Sequence, residues 1–392
     1  MKNDKPVVKP DYYDDFACIA DRCTFSCCND WTITVDEETC EKWKNLPLPD
    51  SMLFEHSEDS TLSTKRMIQC TKEEDDTCVI CMKEDGHCPY LNKKGLCHIV
   101  LSYGDDCLAQ TCRMFPREEH EYEDHIEYNL LPACETALKL LWERPRFQTV
   151  CQALAGNDGA TSGAAETAPA AGNDLIALRE EIRALTDDST KSVEQILKEG
   201  FVLAMKRAGY DIEVPAAYTP FEAQRERFAE NNELFLDSMA GYREQGIYLP
   251  DIESAILRAE SYEELLARAD YKKAGQRDLL KKLADFGAYY ETLQPKLRLL
   301  FAEEIYATLA MPDGNYDTLL MKLEWLCLEL AVLRHWYFLS YDAEGELPYE
   351  WLVHLTSVLL RIMGFCDADI EEYLCECFES PIWEFDYLNL LL

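Results

Sequence analysis

The chain has little positive charge. Its 392 residues include 38 Lys and Arg against 74 Asp and Glu, which gives a formal net charge of −36 at pH 7. Binding to DNA or RNA depends on many contacts between basic side chains and phosphates, so this balance argues against a nucleic-acid partner. An acidic surface favours solubility and a basic partner instead.

Long hydrophobic runs are also missing. A membrane-spanning helix needs about 20 consecutive apolar residues, and no segment reaches that length. The nearest candidate, residues 319–339, is interrupted by charged side chains and is typical of a buried helix in a water-soluble domain. The N-terminal residues contain no apolar segment of the kind found in secretory signals. We therefore expect a cytoplasmic protein with no membrane partner.

Cysteine, in contrast, is abundant and unevenly distributed. Fourteen of the 18 cysteines lie in the first 151 residues, and only Cys327, Cys366, Cys375 and Cys377 follow. Disulfides do not persist in a reducing cytosol, so this crowding is typical of ligands for zinc or an iron–sulfur cluster. A disulfide framework is the open alternative, should the protein be exported.

The sequence changes character near residue 155. Residues 155–174 contain no aromatic residue and no aliphatic residue larger than Ala, a composition typical of a linker. We predict a Cys-rich module over residues 1–151, a flexible linker or loop over 152–174 and an α-helical domain over 175–392. Residues 36–135 are expected to have little apolar core, so that bound metal would supply the missing cross-links.

The segment after residue 175 has helical periodicity. Ser192 and Gln195 have the spacing of a capping box at a helix N-terminus. Further amphipathic stretches cover residues 276–293, 296–310, 316–339, 349–364 and 368–378. The predicted fold is therefore mainly α, with a small irregular, metal-bound Cys-rich module ahead of an α-helical domain.

Two groups of cysteines carry the chemistry of the module. The first comprises Cys18, Cys23, Cys27 and Cys28, and the second comprises Cys88, Cys97, Cys112 and Cys134. Thiolates from segments about 60 residues apart would join two loops, as closed structural metal sites do. Adjacent side chains of an extended segment face opposite sides, so one of Cys27 and Cys28 could bind metal while the other packs or serves a second centre. The thiols outnumber the four that one tetrahedral zinc takes, which favours a cluster or two metals.

This order of motifs resembles the flagellin lysine-N-methylase family (FliB). The likeness covers about residues 12–136, and its most specific part is the TC-x-x-FPR block behind correctly ordered cysteines. The matching positions are Phe16, Cys18, Cys23, Cys27, Cys28, Trp31, Cys88, Pro89, Tyr90, Leu96, Cys97, Ile99, Thr111, Cys112, Phe115, Pro116, Arg117, Cys134 and Glu135. Asp30 departs from the family, which usually has Gly there. A looser likeness exists to small Cys-rich proteins described as zinc- or iron-chelating.

The resemblance implies methyl transfer from S-adenosylmethionine to lysine ε-amines of flagellin or another lysine-bearing protein. Its metal ligands would be Cys18, Cys23, Cys27, Cys28, Cys88, Cys97, Cys112 and Cys134, which would hold an iron–sulfur cluster of the [4Fe–4S] type, with zinc as the alternative. The residues do not locate the S-adenosylmethionine site, because no Gly-rich turn follows a strand and Asp30 interrupts a C-x₃-C-x₂-C spacing. Catalytic residues are unassigned. The alternative function is that of a non-catalytic metal-binding interaction protein.

Several cysteines lie outside the family pattern, namely Cys40, Cys70, Cys78, Cys81 and Cys107. Cys78 and Cys81 have the C-x-x-C spacing of a metal knuckle or a redox pair. Two reduced thiols in a loop are the other interpretation of this spacing.

Overall fold

The computed structural model describes residues 5–24, 26–29, 32–50, 52, 66–74, 77–152, 174–210, 220–245, 249–268, 274–363, 367–377 and 385–392. These residues fall into a smaller compact unit, residues 17–118, and a larger one, residues 1–16 with 119–392. The predicted linker lies almost wholly outside the described residues. The predicted domain limits therefore stay a prediction.

In chain order the strands are β1 (Val7–Pro10), β2 (Thr71–Glu74), β3 (Thr77–Ile80), β4 (Arg117–Glu121), β5 (Ile126–Leu130) and β6 (Thr149–Gln152). The helices are α1 (Glu37–Asn45), α2 (His98–Tyr103), α3 (Gln110–Met114), α4 (Glu135–Trp142), α5 (Asp174–Ala184), α6 (Val193–Arg207), α7 (Pro220–Gln245), α8 (Leu249–Ala267), α9 (Ala274–Thr308), α10 (Tyr316–Glu344), α11 (Tyr349–Ile362), α12 (Asp367–Cys377) and α13 (Phe385–Leu391). The prediction of a mainly α fold with a Cys-rich N-terminal region is confirmed. Among the described helices, none has both the length and the apolar character needed to cross a membrane.

Helix α1 organises the smaller unit. Asp36 caps it, because one carboxylate oxygen accepts a hydrogen bond from the Thr39 N–H at 2.9 Å. The other oxygen accepts from the Gln110 N–H at 2.8 Å, which ties α1 to the start of α3. An N-cap of this kind satisfies backbone donors that the helix itself leaves unpaired.

The smaller unit has an apolar core of its own, so the expectation of little core between residues 36 and 135 was wrong. Trp43 is fully buried, donates its indole N–H to the Cys107 carbonyl at 2.9 Å, and meets the Tyr90 ring edge-on at 5.5 Å. Tyr90 in turn donates its hydroxyl to the Met67 carbonyl at 2.7 Å. The rest of this core consists of Ile33, Val35, Leu48, Met52, Ile80, Cys88, Ile99, Cys107 and Ala109.

A four-stranded sheet in the order β4-β5-β1-β6 belongs to the N-terminal part of the chain. β1 runs parallel to β5, with Val7 opposite Ile126, and antiparallel to β6, with Val8 opposite Cys151. Arg179 of α5 packs on this sheet. Its guanidinium donates to both carboxylate oxygens of Glu127 in β5, at 2.6 and 2.7 Å.

Each predicted amphipathic stretch corresponds to a helix of the larger unit. The predicted capping box is confirmed, since Ser192 accepts from the Gln195 N–H and Gln195 accepts from the Ser192 N–H. The predicted break between 293 and 296 was wrong, because α9 continues through Pro295. Proline removes one helical hydrogen bond, but α9 packs against α4, α5, α6 and α10, and this packing maintains the helix.

Candidate metal centre

Five of the eight predicted ligands come together in the smaller unit, namely Cys27, Cys28, Cys88, Cys97 and Cys112. Backbone pairing brings their segments into contact. The Cys88 N–H donates to the Cys28 carbonyl at 2.8 Å, and an antiparallel bridge joins Asn29 to His87. A second bridge, between Leu91 and Cys97, folds the later segment back on itself.

A tight turn positions Cys97. The Asn92 side chain accepts hydrogen bonds from the N–H groups of Lys94 and Leu96, at 2.8 and 3.0 Å. Gly95 has φ +75°, and a Cβ there would lie 3.7 Å from the Asp21 Cα, so the turn uses a conformation that glycine adopts at little cost. Cys97 then precedes α2, and Cys112 lies on α3.

The thiols of this cluster act on one another electrostatically. Burial raises the pKa of Cys88 to about 12, and the Cys97 thiol acts in the same direction. Burial, followed by the thiols of Cys88, Cys97 and Cys27, raises the pKa of Cys112. Hydrogen bonding with Cys27, followed by burial, raises the pKa of Cys28. These thiols are therefore protonated near neutral pH, and a bound cation would favour their thiolate forms.

The donor set fits a thiolate-bound metal in its chemistry, because sulfur donors suit zinc and iron–sulfur clusters. The five cysteine side chains lie in one region of the smaller unit, but they do not point at a common metal position. Within the described ranges, no three His, Cys, Asp or Glu side chains are placed to hold one metal ion as they stand. Rotation of the cysteine side chains between rotamers would be needed to bring the sulfurs to bonding distance of a metal.

The other three predicted ligands differ from this cluster in their exposure or in their position in the fold. Cys18 is exposed, and its sulfur accepts a hydrogen bond from the Ala20 N–H at 3.4 Å. Cys23 is partly exposed and follows a single 3₁₀ turn, Ala20–Arg22. Cys134 is buried and precedes α4, in the larger unit. Trp31 and Asp30 lie outside the described residues.

Sequence reasoning missed two features because both depend on contacts distant in sequence. The sulfur atoms of Cys40 and Cys78 are 2.9 Å apart although the residues are separated by 38 positions. A cavity of about 550 Å³ in the larger unit is lined by residues of α6, α7, α9 and α10. Helical periodicity predicts these helices but not the space between them.

Known proteins match part of the chain. It is 29% identical over 128 residues to the flagellar biosynthetic protein FliU of Salmonella muenchen, covering 33% of this chain and 72% of FliU. A third of the chain is distantly homologous to the FliU and lysine-N-methylase family. The lysine-N-methylases of Salmonella choleraesuis (strain SC-B67) and Salmonella typhimurium (strain LT2) are also 29% identical over 128 residues. Each of these matches covers 33% of this chain but only 30% of the methylase. No family model matches the chain, and no solved structure matches it.

Proposed function

We propose that the protein is an S-adenosylmethionine-dependent protein-lysine N-methyltransferase that acts on flagellin. The observation that supports this most directly is the partial homology to proteins named lysine-N-methylase. The flagellar role in the name of FliU supports flagellin as the substrate. The proposed location is the cytoplasm, where free thiols stay reduced.

The proposed reaction sets clear demands on the protein. S-adenosylmethionine, when bound, supplies an electrophilic methyl group. The substrate amine must be neutral to attack it, although a free lysine has a pKa of about 10.4. The protein therefore has to accept a proton from the amine and hold the amine in line with the methyl carbon. Its 74 acidic side chains outnumber the 38 basic ones by 36, and this excess suits the approach of a lysine-bearing surface.

We further propose that the cysteine cluster holds an iron–sulfur cluster of the [4Fe–4S] type, or zinc. Cys27, Cys88, Cys97 and Cys112 are the core of the proposed ligand set because burial and neighbouring thiols of this group raise the pKa of Cys97 and Cys112. Cys18, Cys23, Cys28 and Cys134 complete the set that the family resemblance implies. Bound metal would cross-link the segments around Cys27, Cys88 and Cys112 and so stabilise the smaller unit.

Mass spectrometry of flagellin tests the function. Anaerobically purified, metal-replete protein is incubated with flagellin from the same organism and S-adenosylmethionine, and lysine peptides should gain mass in steps of one methyl group. Omitting S-adenosylmethionine, or using flagellin whose lysines are already chemically acetylated, should abolish the gain. Unchanged flagellin would refute the methylase proposal, and stable flagellin binding without any mass change would favour the non-catalytic alternative.

A further inference from the structure

The cavity in the larger unit has the size of a small-molecule site. Its volume is about 550 Å³, within the range of 300–1,000 Å³ that is typical of ligand pockets. Its lining comes from the N-terminal halves of α6 and α7, the middle of α9 and the C-terminal half of α10. Thr190, Ser192 and Leu392 complete it. All of these segments belong to the larger unit.

Three cationic side chains line this cavity in a chain that carries a net charge of −36: Lys198, Arg227 and Arg334. Arg334 has acceptors already, in Glu194, Asn231 and the carbonyls of Leu391 and Leu392. Lys198 and Arg227 have few hydrogen-bond acceptors. Among the described residues, Lys198 makes one long hydrogen bond, to the Asn389 carbonyl at 3.4 Å, and Arg227 donates from Nε alone, to the Leu390 carbonyl at 2.9 Å.

The cations also repel one another. Burial, followed by the charges of Arg227 and Arg334, lowers the pKa of Lys198 to about 8. Burial and Arg334 likewise lower the pKa of Arg227. Half-buried N–H donors with few acceptors and the mutual repulsion of the cations together favour an anionic group between Lys198 and Arg227.

The rest of the lining would suit a ligand with an aromatic ring and an ammonium group. Phe338 meets the rings of Phe228 and Phe286 edge-to-face, with centroids 5.3 and 5.5 Å apart, which forms an apolar wall for a planar group. The carboxylate of Glu194 accepts from Gln294 at 3.3 Å and lies in the same lining. Burial, followed by the charge of Glu194, raises the pKa of the Tyr290 hydroxyl, and Tyr290 lines the same cavity.

We propose that this cavity binds a small molecule that carries an anionic group and a planar ring, and that this ligand is the methyl donor S-adenosylmethionine. The carboxylate of the methyl donor would meet Lys198 and Arg227, its ammonium group would meet Glu194, and its adenine would pack on the phenylalanine wall. The assignment to S-adenosylmethionine rests on the proposed function. Adenosine nucleotides share the chemistry of an anion joined to the same ring, so the test includes one.

Gly287 offers a way to block the cavity without disturbing the fold. It lines the cavity from α9, and a Cβ at this position meets no atom within 4 Å. Gly287→Leu therefore projects a side chain into open space and improves helix propensity by up to about 1 kcal/mol. Gly241 on α7 has equally open surroundings and does not line the cavity, so Gly241→Leu is the matched control.

Lys198→Gln tests the anion contact, and Lys206→Gln on the same helix is its control, since Lys206 is exposed and does not line the cavity. Isothermal titration calorimetry of the full chain measures the binding of S-adenosylhomocysteine, which has no methyl group to transfer, and of AMP. Gly287→Leu should weaken S-adenosylhomocysteine binding by more than ten-fold, and Lys198→Gln by about ten-fold. Both controls should bind as the wild type does.

The outcomes separate this proposal from the proposed function. Unchanged affinity in a folded Gly287→Leu variant overturns the site, and if the wild type still methylates flagellin the function stands. If the wild type binds AMP alone and Gly287→Leu abolishes this binding, the site for an anionic group and a planar ring is supported and its assignment to the methyl donor is overturned. Binding of neither probe by the wild type overturns the proposal. Circular dichroism and the thermal unfolding midpoint establish that each variant is folded.

Discussion

The sulfur atoms of Cys40 and Cys78 lie 2.9 Å apart. Cys40 is on α1 and Cys78 is on β3, so this contact joins the helix to the two-stranded sheet within the smaller unit. Burial and the neighbouring Cys78 raise the pKa of Cys40 to about 11. Both residues are outside the proposed metal ligands, which leaves their thiols available for chemistry of their own.

A disulfide oxidant should link Cys40 to Cys78. Oxidised glutathione would be reduced to two thiols while the protein pair loses two hydrogens and forms one S–S bond. The bond would close a loop between residues 38 positions apart and raise the free energy of unfolding by about 3–4 kcal/mol. Peptide mapping without reductant should find the linked peptides in the wild type and in Cys81→Ser but not in Cys40→Ser. A Cys78–Cys81 bond as the main product would contradict the pairing.

Replacing proposed ligands should release metal. We expect Cys27→Ala, Cys88→Ala and Cys112→Ala each to lower the bound metal and destabilise the smaller unit, because each removes a sulfur donor from the cluster. Iron, sulfide and zinc are measured per chain after anaerobic purification. Cys375→Ser, at an exposed position on α12, is the control and should retain wild-type metal. Full retention in all three alanine variants would refute the ligand assignment.

Removing metal should weaken the smaller unit without unfolding it, since Trp43 and its neighbours form an apolar core. Trp43→Ala should lower the free energy of unfolding by about 3–5 kcal/mol, as large-to-small changes in cores do. This loss of stability should exceed the loss caused by removing metal. Hydrogen–deuterium exchange of peptides from residues 32–50 measures both effects. Complete exchange of these peptides on chelation alone would show that metal, and not the core, maintains this unit.

Local signals predicted the helices better than they predicted the sheet. The Ser192–Gln195 capping box involves residues three positions apart, so a short window contains all of its information. β1 has four residues and pairs with β5 and β6, more than 100 positions away, and nothing in its sequence specifies those partners. The helix break predicted near Pro295 was wrong for a related reason, because the contacts that maintain α9 come from other helices.

In the candidate site, too, local sequence motifs were predictive and contacts between distant segments were not. Motif order selected Cys27, Cys88, Cys97 and Cys112 as candidate ligands, and burial together with neighbouring thiols of this group raises the pKa of Cys97 and Cys112. The backbone hydrogen bond from Cys88 to Cys28 that brings two of the segments together has no local signature. The cavity was not predictable either, since Lys198 and Arg227 come from different helices.

A buried ion pair in the larger unit should make stability depend on pH. Burial alone would raise the pKa of Glu127, but hydrogen bonds from Arg179 and His125 outweigh it and lower the pKa from 4.5 to about 2. Because the folded-state pKa is depressed, the stabilisation is fully present above pH 4.5 and is lost as pH falls towards 2. A shift of this size corresponds to about 3 kcal/mol.

Glu127→Gln should therefore destabilise the protein by about 3–5 kcal/mol near pH 7, since it leaves the buried Arg179 charge without its main partner. Urea unfolding at several pH values measures the difference from the wild type. This difference should shrink by about 1.4 kcal/mol per pH unit between pH 4.5 and 2, because Glu127 binds a proton in the unfolded chain while it stays ionised in the folded protein. Glu180→Gln removes a weaker and more exposed partner of Arg179, at 3.1 Å, and should cost less than about 1 kcal/mol. A Glu127→Gln deficit that is the same at pH 6 and pH 3 would mean that the carboxylate charge is not what stabilises this contact.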